Sequence, residues 1–229
     1  MRERERERES KDDAVTVREI THDPVELERY RERGAALWGG IRLPIEYLQQ
    51  GRVFALYRGV PGSPQLGGFA LILRPPLRTV RLLPAEVRSA DPVLGALGEE
   101  AILEITGVWI DPETRDRRVS WLLWRHLTQT ALKARKPYSI YGYDGSVAGL
   151  RRLYEPLRGR RLFAGDASGR ADVSGGPSHR SLELYIFPTA RLRWAFWVTA
   201  WRGWWKGKRS GGFTRPGAAA RNAAGNSAE

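Results

Sequence analysis

Residues 104–120 read Glu-Ile-Thr-Gly-Val-Trp-Ile-Asp-Pro-Glu-Thr-Arg-Asp-Arg-Arg-Val-Ser, and their types and order suit anion binding. An apolar strand leaves through a tight exit at Asp111-Pro112, crosses an arginine-rich loop and enters a helix. The first turn of a helix offers backbone N–H groups without intrahelical partners and the positive end of the helix dipole, which together bind phosphate. Glu104 places a carboxylate on the strand, and Tyr154, within Leu153-Tyr154-Glu155, adds a phenolic hydroxyl. Each residue also has a plain structural reading. Glu104 is then a solvated or ion-paired strand residue, Tyr154 a core tyrosine, and the arginines at 115, 117 and 118 ordinary charge at a helix start. Trp109, Trp121 and Trp124 serve as packing or as the lining of a ligand pocket, and His126 as a core histidine on the apolar stripe of its helix.

Other chemistries are excluded. The 229 residues contain no cysteine and three histidines, His22, His126 and His179, in no ligand-like spacing, so disulfides and thiolate or histidine metal sites are not expected. Ser146 has Asp144 and Ala148 where a nucleophile elbow needs glycines, and Walker, paired-glycine and HExxH patterns are missing. Hydrolase, nucleotide-hydrolysing, dinucleotide-dependent and zinc-protease readings have no residues to rest on.

The elements that would position these groups follow from periodicity and punctuation. Val15–Ile20 alternates as a strand, and Asp23-Pro24 with Glu26 forms an N-cap for a helix reaching about Trp38. Strands over Arg52–Tyr57 and Gly68–Leu73 flank a stretch rich in turn formers, which predicts an antiparallel hairpin. Residues 77–98 fit a short strand or an irregular excursion with a short helix. Ala101–Ile110 is apolar enough for burial on both faces, with Gly107 marking a bulge. A helix follows over 117–136, burying Val119, Leu122, Leu123, Leu127 and Ala131. Then come a strand at Tyr138–Tyr143, a turn at Asp144-Gly145-Ser146, a helix through Leu157, a short strand at 161–163, a polar loop over 165–179 and a last strand at Ser181–Phe187. The order is that of an α+β domain with a mixed, mostly antiparallel sheet.

This order, with Pro112-Glu-Thr-Arg115-Asp-Arg-Arg118-Val119-Ser120, resembles the GNAT superfamily of acyl-CoA N-acyltransferases, whose donor motif runs roughly Pro-x-x-Arg-Gly-x-Gly-Ile-Gly/Ala. Pro112, Arg115 and Val119 match, whereas Asp116, Arg118 and Ser120 stand at the glycine positions. Leu153-Tyr154-Glu155 resembles the Leu-Tyr-Glu of the family's fourth helix, and Asp144 is the nearest counterpart of the asparagine that usually precedes it. The resemblance covers about residues 15–188. It implies acyl transfer from a pantetheine thioester, either acyl-CoA or acyl-phosphopantetheine on an acyl carrier protein, to a small-molecule amine. Ile110, Arg115, Arg117, Arg118, Val119 and Ser120 would hold the donor, Glu104 would act as base and Tyr154 as acid. The missing glycines and abundant tryptophan suit the branch that makes long-chain N-acyl amino acids. The rival implication is a GNAT-fold binding protein without catalysis, favoured by Arg118 in the phosphate nest.

The formal charge of +12 is unevenly spread. Residues 1–14, with four Arg and four Glu in alternation, are expected to be disordered. Residues 189–229 carry eight Lys/Arg against one Glu. Trp194, Trp197, Val198, Trp201 and Trp205 share one helical face over 189–209, and residues 210–229 are a tail of Gly, Ala, Arg and Asn. Indoles beside cations suit an anionic membrane surface through 191–208 or docking onto the domain, with nucleic acid the less favoured partner. The charged N-terminus and the lack of an apolar run near the roughly 20 residues of a bilayer span predict a cytoplasmic protein, peripheral at most.

Overall fold

The computed structural model describes residues 14–38, 40–59, 62–114, 116–166, 181–194 and 196–197. Seven strands form one sheet in the order β1-β2-β3-β4-β5-β7-β6. They are β1 (Val15–Glu19), β2 (Gly51–Arg58), β3 (Gln65–Ile72), β4 (Ile102–Ile110), β5 (Tyr138–Asp144), β6 (Arg160–Asp166) and β7 (Ser181–Pro188). Every pairing is antiparallel except β4 with β5. The fold is therefore the mixed, mostly antiparallel α+β sheet that the sequence predicts.

Two long helices cover opposite faces. Helix α1 (Pro24–Leu37) starts where the Asp23 carboxylate accepts the Glu26 N–H at 3.1 Å, with Pro24 at its first position. Helix α6 (Arg117–Lys133) buries Val119, Leu123, Trp124, Leu127 and Ala131, while Leu122 is only half-buried. Neighbouring residues of a strand face opposite sides, and β3 sorts the helices accordingly. A Cβ on Gly68 would meet the Tyr30 ring of α1 at 2.7 Å, whereas Phe69 lies 6.3 Å from the His126 ring of α6. His126 also packs edge-on to Phe54, and its burial lowers its pKa. It is a packing residue.

The excursion between β3 and β4 is helical rather than extended. It holds α3 (Arg78–Arg81), α4 (Ala85–Ala90) and α5 (Pro92–Leu97), and a further turn, α2 (Ile45–Leu48), precedes β2. Prolines and glycines obscure the apolar period in these segments, and helices this short have too little length to display one. Asp91 fixes the end of the excursion: its carboxylate caps α5 through the N–H groups of Val93 and Leu94, both at 3.0 Å, and pairs with Arg160 of β6 at 2.6 Å. Helix α7 (Ala148–Tyr154) follows β5, and β6 is longer than the three residues expected.

The sheet divides between β4 and β5. Their parallel pairing runs only from Ile102↔Tyr138 to Ile105↔Tyr141. Beyond it β4 carries a bulge: Gly68 pairs with Trp109 but Ala70 with Thr106, so Gly107 and Val108 together oppose Phe69. Gly107 has φ +61°, and a Cβ there would lie 2.3 Å from the Tyr30 hydroxyl. Gly107→Ala combines a left-handed backbone with that clash. It is expected to lower stability by roughly 1–3 kcal/mol, read as a fall in urea midpoint without change of slope.

Candidate active site

Helix α1 holds the bulge from one side. The Tyr30 hydroxyl donates to the Gly107 carbonyl, and Trp38 Nε1 donates to the Val108 carbonyl at 3.3 Å. Tyr30, Trp38 and Trp109 pack together, with ring centroids 6.0 and 6.1 Å from Tyr30. Both carbonyls of the bulge are thus engaged, and the Val108 amide lies near the hydroxyl of Tyr154 without reaching hydrogen-bond geometry.

Tyr154 packs on the other face of the sheet. Its ring stacks on Tyr141 and Tyr143, at centroid distances of 5.1 and 5.5 Å. Glu183 braces this layer by accepting from Tyr143 at 3.1 Å and from Tyr185. Burial raises the Tyr154 pKa, and the Val108 N–H opposes the rise only in part. The hydroxyl therefore keeps its proton at neutral pH.

The opening has two lobes of about 50 and 40 Å³. Thr106, Gly142, Tyr143 and Asp144 line both, Gly107 and Tyr154 the smaller, and Thr79 the larger. Glu104 lies one layer behind Thr79. It has no exposed surface, and its carboxylate accepts from the Thr79 hydroxyl at 2.6 Å and the Thr79 N–H at 3.2 Å. The Tyr47 hydroxyl interacts with the same group without reaching hydrogen-bond geometry. Burial raises the Glu104 pKa, the Thr79 bonds hold it back, and the rise prevails. Glu104 is thus neither solvated nor ion-paired.

The loop after β4 is built from inside. Asp111 accepts from Arg33 of α1 and from the Glu113 N–H at 3.0 Å, and the Arg33 contact lowers its pKa. At the start of α6 the Asp116 carboxylate accepts the Arg118 N–H at 2.9 Å, and the Arg118 guanidinium folds back on it at 2.9–3.1 Å. The Arg118 bond is the chief cause of the lowered Asp116 pKa. An internal carboxylate thus occupies the first turn of α6 where an external anion was expected. Ile110 ends β4 half-buried, Val119 is buried, Ser120 half-buried and Arg117 exposed, while Arg115 lies outside the described residues.

The structure brings Tyr154 to the split and places Glu104 behind it. Arg78, Thr79 and Thr106, which sequence reasoning did not assign to the site, line the opening together with Asp144, which the sequence offered as the nearest counterpart of the family's asparagine. The Trp121 ring meets Phe196, 6.1 Å between centroids, and is partly exposed, so it borders the C-terminal helix. Among the described residues no group of acidic or histidine side chains could hold a metal.

The raised pKa of Glu104 has a sign. A carboxyl whose pKa is higher in the folded than in the unfolded state contributes stability fully below the unfolded value, about 4.3 for Glu, and loses it as pH rises through the folded value. Glu104→Gln should therefore gain stability relative to wild type as pH rises above that point. Urea midpoints of the two proteins, compared across the range, check this.

No protein-family model matches the sequence, and no curated protein does. Solved structures do match. The N-acyl amino acid synthase FeeM from uncultured soil microbes superposes with a TM-score of 0.54 at 12% identity, over 82% of this chain and 99% of that one. Arabidopsis thaliana NAA60, solved with acetyl-CoA, superposes with a TM-score of 0.52 at 17% identity, over 76% and 98%. The same enzyme with a bisubstrate analogue gives 0.52 at 14% identity over the same shares. The chain has the fold of the GNAT N-acyltransferases.

Proposed function

We propose that this protein transfers an acyl group from a pantetheine thioester to a primary amine at the split between β4 and β5. The observation that carries this reading is the bulge at Gly107 and Val108, where the β4–β5 pairing has stopped and Tyr154 lines the opening beside Gly107. A thioester carbonyl bonded to the Val108 amide is polarised where negative charge develops during attack. The amine nitrogen attacks the carbonyl carbon, the C–S bond breaks, and the departing sulfur takes the Tyr154 proton. The proton lost by the amine passes through the Thr79 hydroxyl to Glu104, whose affinity for a proton burial increases.

Ile110, Arg115, Arg117, Arg118, Val119 and Ser120 are the residues we assign to holding the donor beyond its thioester. The Asp116 carboxylate at the α6 start supports a carrier-protein arm, with its single phosphate, over acyl-CoA. A diphosphate would have to displace that carboxylate against like charge. Asp116→Gly should cost only a few tenths of a kcal/mol as an N-cap change and clear the N-terminus. CoA is then expected to bind at least about tenfold more tightly, the scale of one charge-assisted hydrogen bond, in a calorimetric titration.

Turnover is read as free-thiol release with acyl-CoA and acyl-carrier donors over a panel of amines. Tyr154→Phe should lower kcat about a hundredfold, the range of a lost general acid, with KM for the donor little changed. Donor binding without turnover, indifferent to Tyr154→Phe, would instead establish a non-catalytic binding protein.

A membrane partner is a second, separate reading. Trp194 and Trp197 are 61% and 67% exposed, and Phe196 rather than either indole faces Trp121. Indoles turned outward beside Arg191 and Arg193 suit an anionic headgroup layer. The rest of the basic tryptophan face, from Val198 on, lies outside the described residues. Flotation with phosphatidylserine vesicles should be lost on Trp194→Ser/Trp197→Ser. Equal flotation of both proteins would refute this role for the indoles.

A further inference from the structure

Charge is divided unequally between the two faces of the sheet, and strand alternation tells which elements share a face. Phe69 of β3 lies beside His126 of α6, and Leu71, two residues on, shares that face. Leu71 pairs with Ile105 of β4 and Ile105 with Tyr141 of β5, whose ring stacks on Tyr154 of α7. Helices α6 and α7 therefore lie on one face. Glu104, the neighbour of Ile105, faces the other and holds Thr79, so α3 shares the α1 side. The turn after β7 bridges the first pair of helices: Arg191 donates to the Arg158 carbonyl at 3.4 Å, and the Phe196 ring lies 6.1 Å from Trp121.

Helix α6 carries four basic residues and no acid, residues 148–161 carry five and one acid, Glu155, and residues 189–193 carry two and no acid. Arg160 turns to the other face, where it pairs with Asp91. That other face is balanced: α1 has three basic and three acidic residues, and residues 78–100 three basic and four acidic. Arg151, Arg152, Arg158, Arg161, Arg191 and Arg193 are exposed and make no ion pair with a described residue. Indoles stand beside them. Trp121 is 39% exposed with the Arg125 guanidinium 4.9 Å from its ring, and Trp194 and Trp197 flank Phe196.

We infer that the protein lies with its whole α6/α7 face on an anionic bilayer, the arginines at the lipid phosphates and the indoles one layer deeper. A nucleic acid duplex or an acidic protein supplies the anions but no apolar layer for indoles to enter, whereas a bilayer supplies both. Ile41, Thr79 and Leu82 place the larger lobe of the opening on the α1 side, so docking leaves it facing water. The inference rests on the membrane reading of Trp194 and Trp197 for its partner. It goes beyond that reading by fixing an orientation and by assigning phosphate contacts to α7 and β6, which that reading does not use.

The chain has no cysteine, so one introduced thiol carries a fluorophore at a single known place. Gln129→Cys, exposed on α6, and Glu32→Cys, exposed on α1, are labelled in the full chain. Each is mixed with phosphatidylcholine vesicles containing phosphatidylserine and a nitroxide lipid. The label at 129 is expected to be quenched and the label at 32 to stay bright. Quenching of both, or of neither, overturns the orientation. Arg151→Gln/Arg152→Gln/Arg161→Gln should weaken partition onto these vesicles about a hundredfold, at about fivefold for each arginine near an anionic surface. The labelled proteins keep every arginine, so they decide the orientation even where the triple variant is unstable. Unchanged partition of a folded triple variant overturns the arginine surface, and leaves the indole reading standing if Trp194→Ser/Trp197→Ser still abolishes binding. Loss of partition in the arginine variant alone supports the surface and refutes the indole reading instead. Salt-sensitive binding to a single-stranded oligonucleotide, with no partition onto vesicles, overturns both.

Discussion

The bulge at Gly107 and Val108 is the constraint on which the site depends. A parallel strand pair closed along its length would leave every backbone amide of β4 bonded to a neighbour. One extra residue breaks that register, and the pairing with β5 stops at Ile105. The two freed carbonyls are not left to water: Tyr30 and Trp38 of α1 take them. The aromatic cluster of α1 thus sets the direction of the Val108 amide, and packing and chemistry share the same contacts. Gly68 is part of this arrangement, because any Cβ there would push Tyr30 off the sheet.

The charges of the site are graded by depth. Glu104 is sealed and reached through Thr79, Tyr154 is buried with its hydroxyl at the split, and Asp144 and Arg78 border the open lobes. Burial raises the pKa of both Glu104 and Tyr154, which leaves a carboxyl of increased proton affinity and a tyrosine that stays protonated. The entrance differs from the interior. At the start of α6 the protein supplies its own anion, Asp116, clasped by Arg118.

The order of strands and long helices was legible because each long element carries its period: Val15–Glu19 and Ser181–Pro188 as strands, Pro24–Leu37 with its Asp23 cap, and Arg117–Lys133 with its apolar stripe. Gly107 was legible as a bulge because glycine in an apolar strand has few other uses. The excursion between β3 and β4 was not, since α3, α4 and α5 are held by tertiary contacts such as Asp91 with Arg160. That is also why Arg78 and Thr79 were missed: a threonine and an arginine after two prolines carry no local signal, and their place beside Glu104 and Asp144 arises only when α3 docks on the sheet. The substitution of Asp116 for glycine was visible, but not its consequence. An aspartate there reads equally as an obstruction or as a cap, and the bond to the Arg118 N–H makes it a cap.

We propose that the Val108 amide receives the thioester carbonyl. The direct measurement is the proton chemical shift of that amide as the protein is titrated with a non-hydrolysable acyl-pantetheine ketone, in which a methylene replaces sulfur. A new hydrogen bond moves the Val108 amide proton downfield, further than any other amide of β4 or β5, and the account predicts that result with the Tyr154 ring signals shifting at the same ligand concentration. An unmoved Val108 amide at saturating ligand, with the shifts gathered elsewhere on the protein, would contradict it.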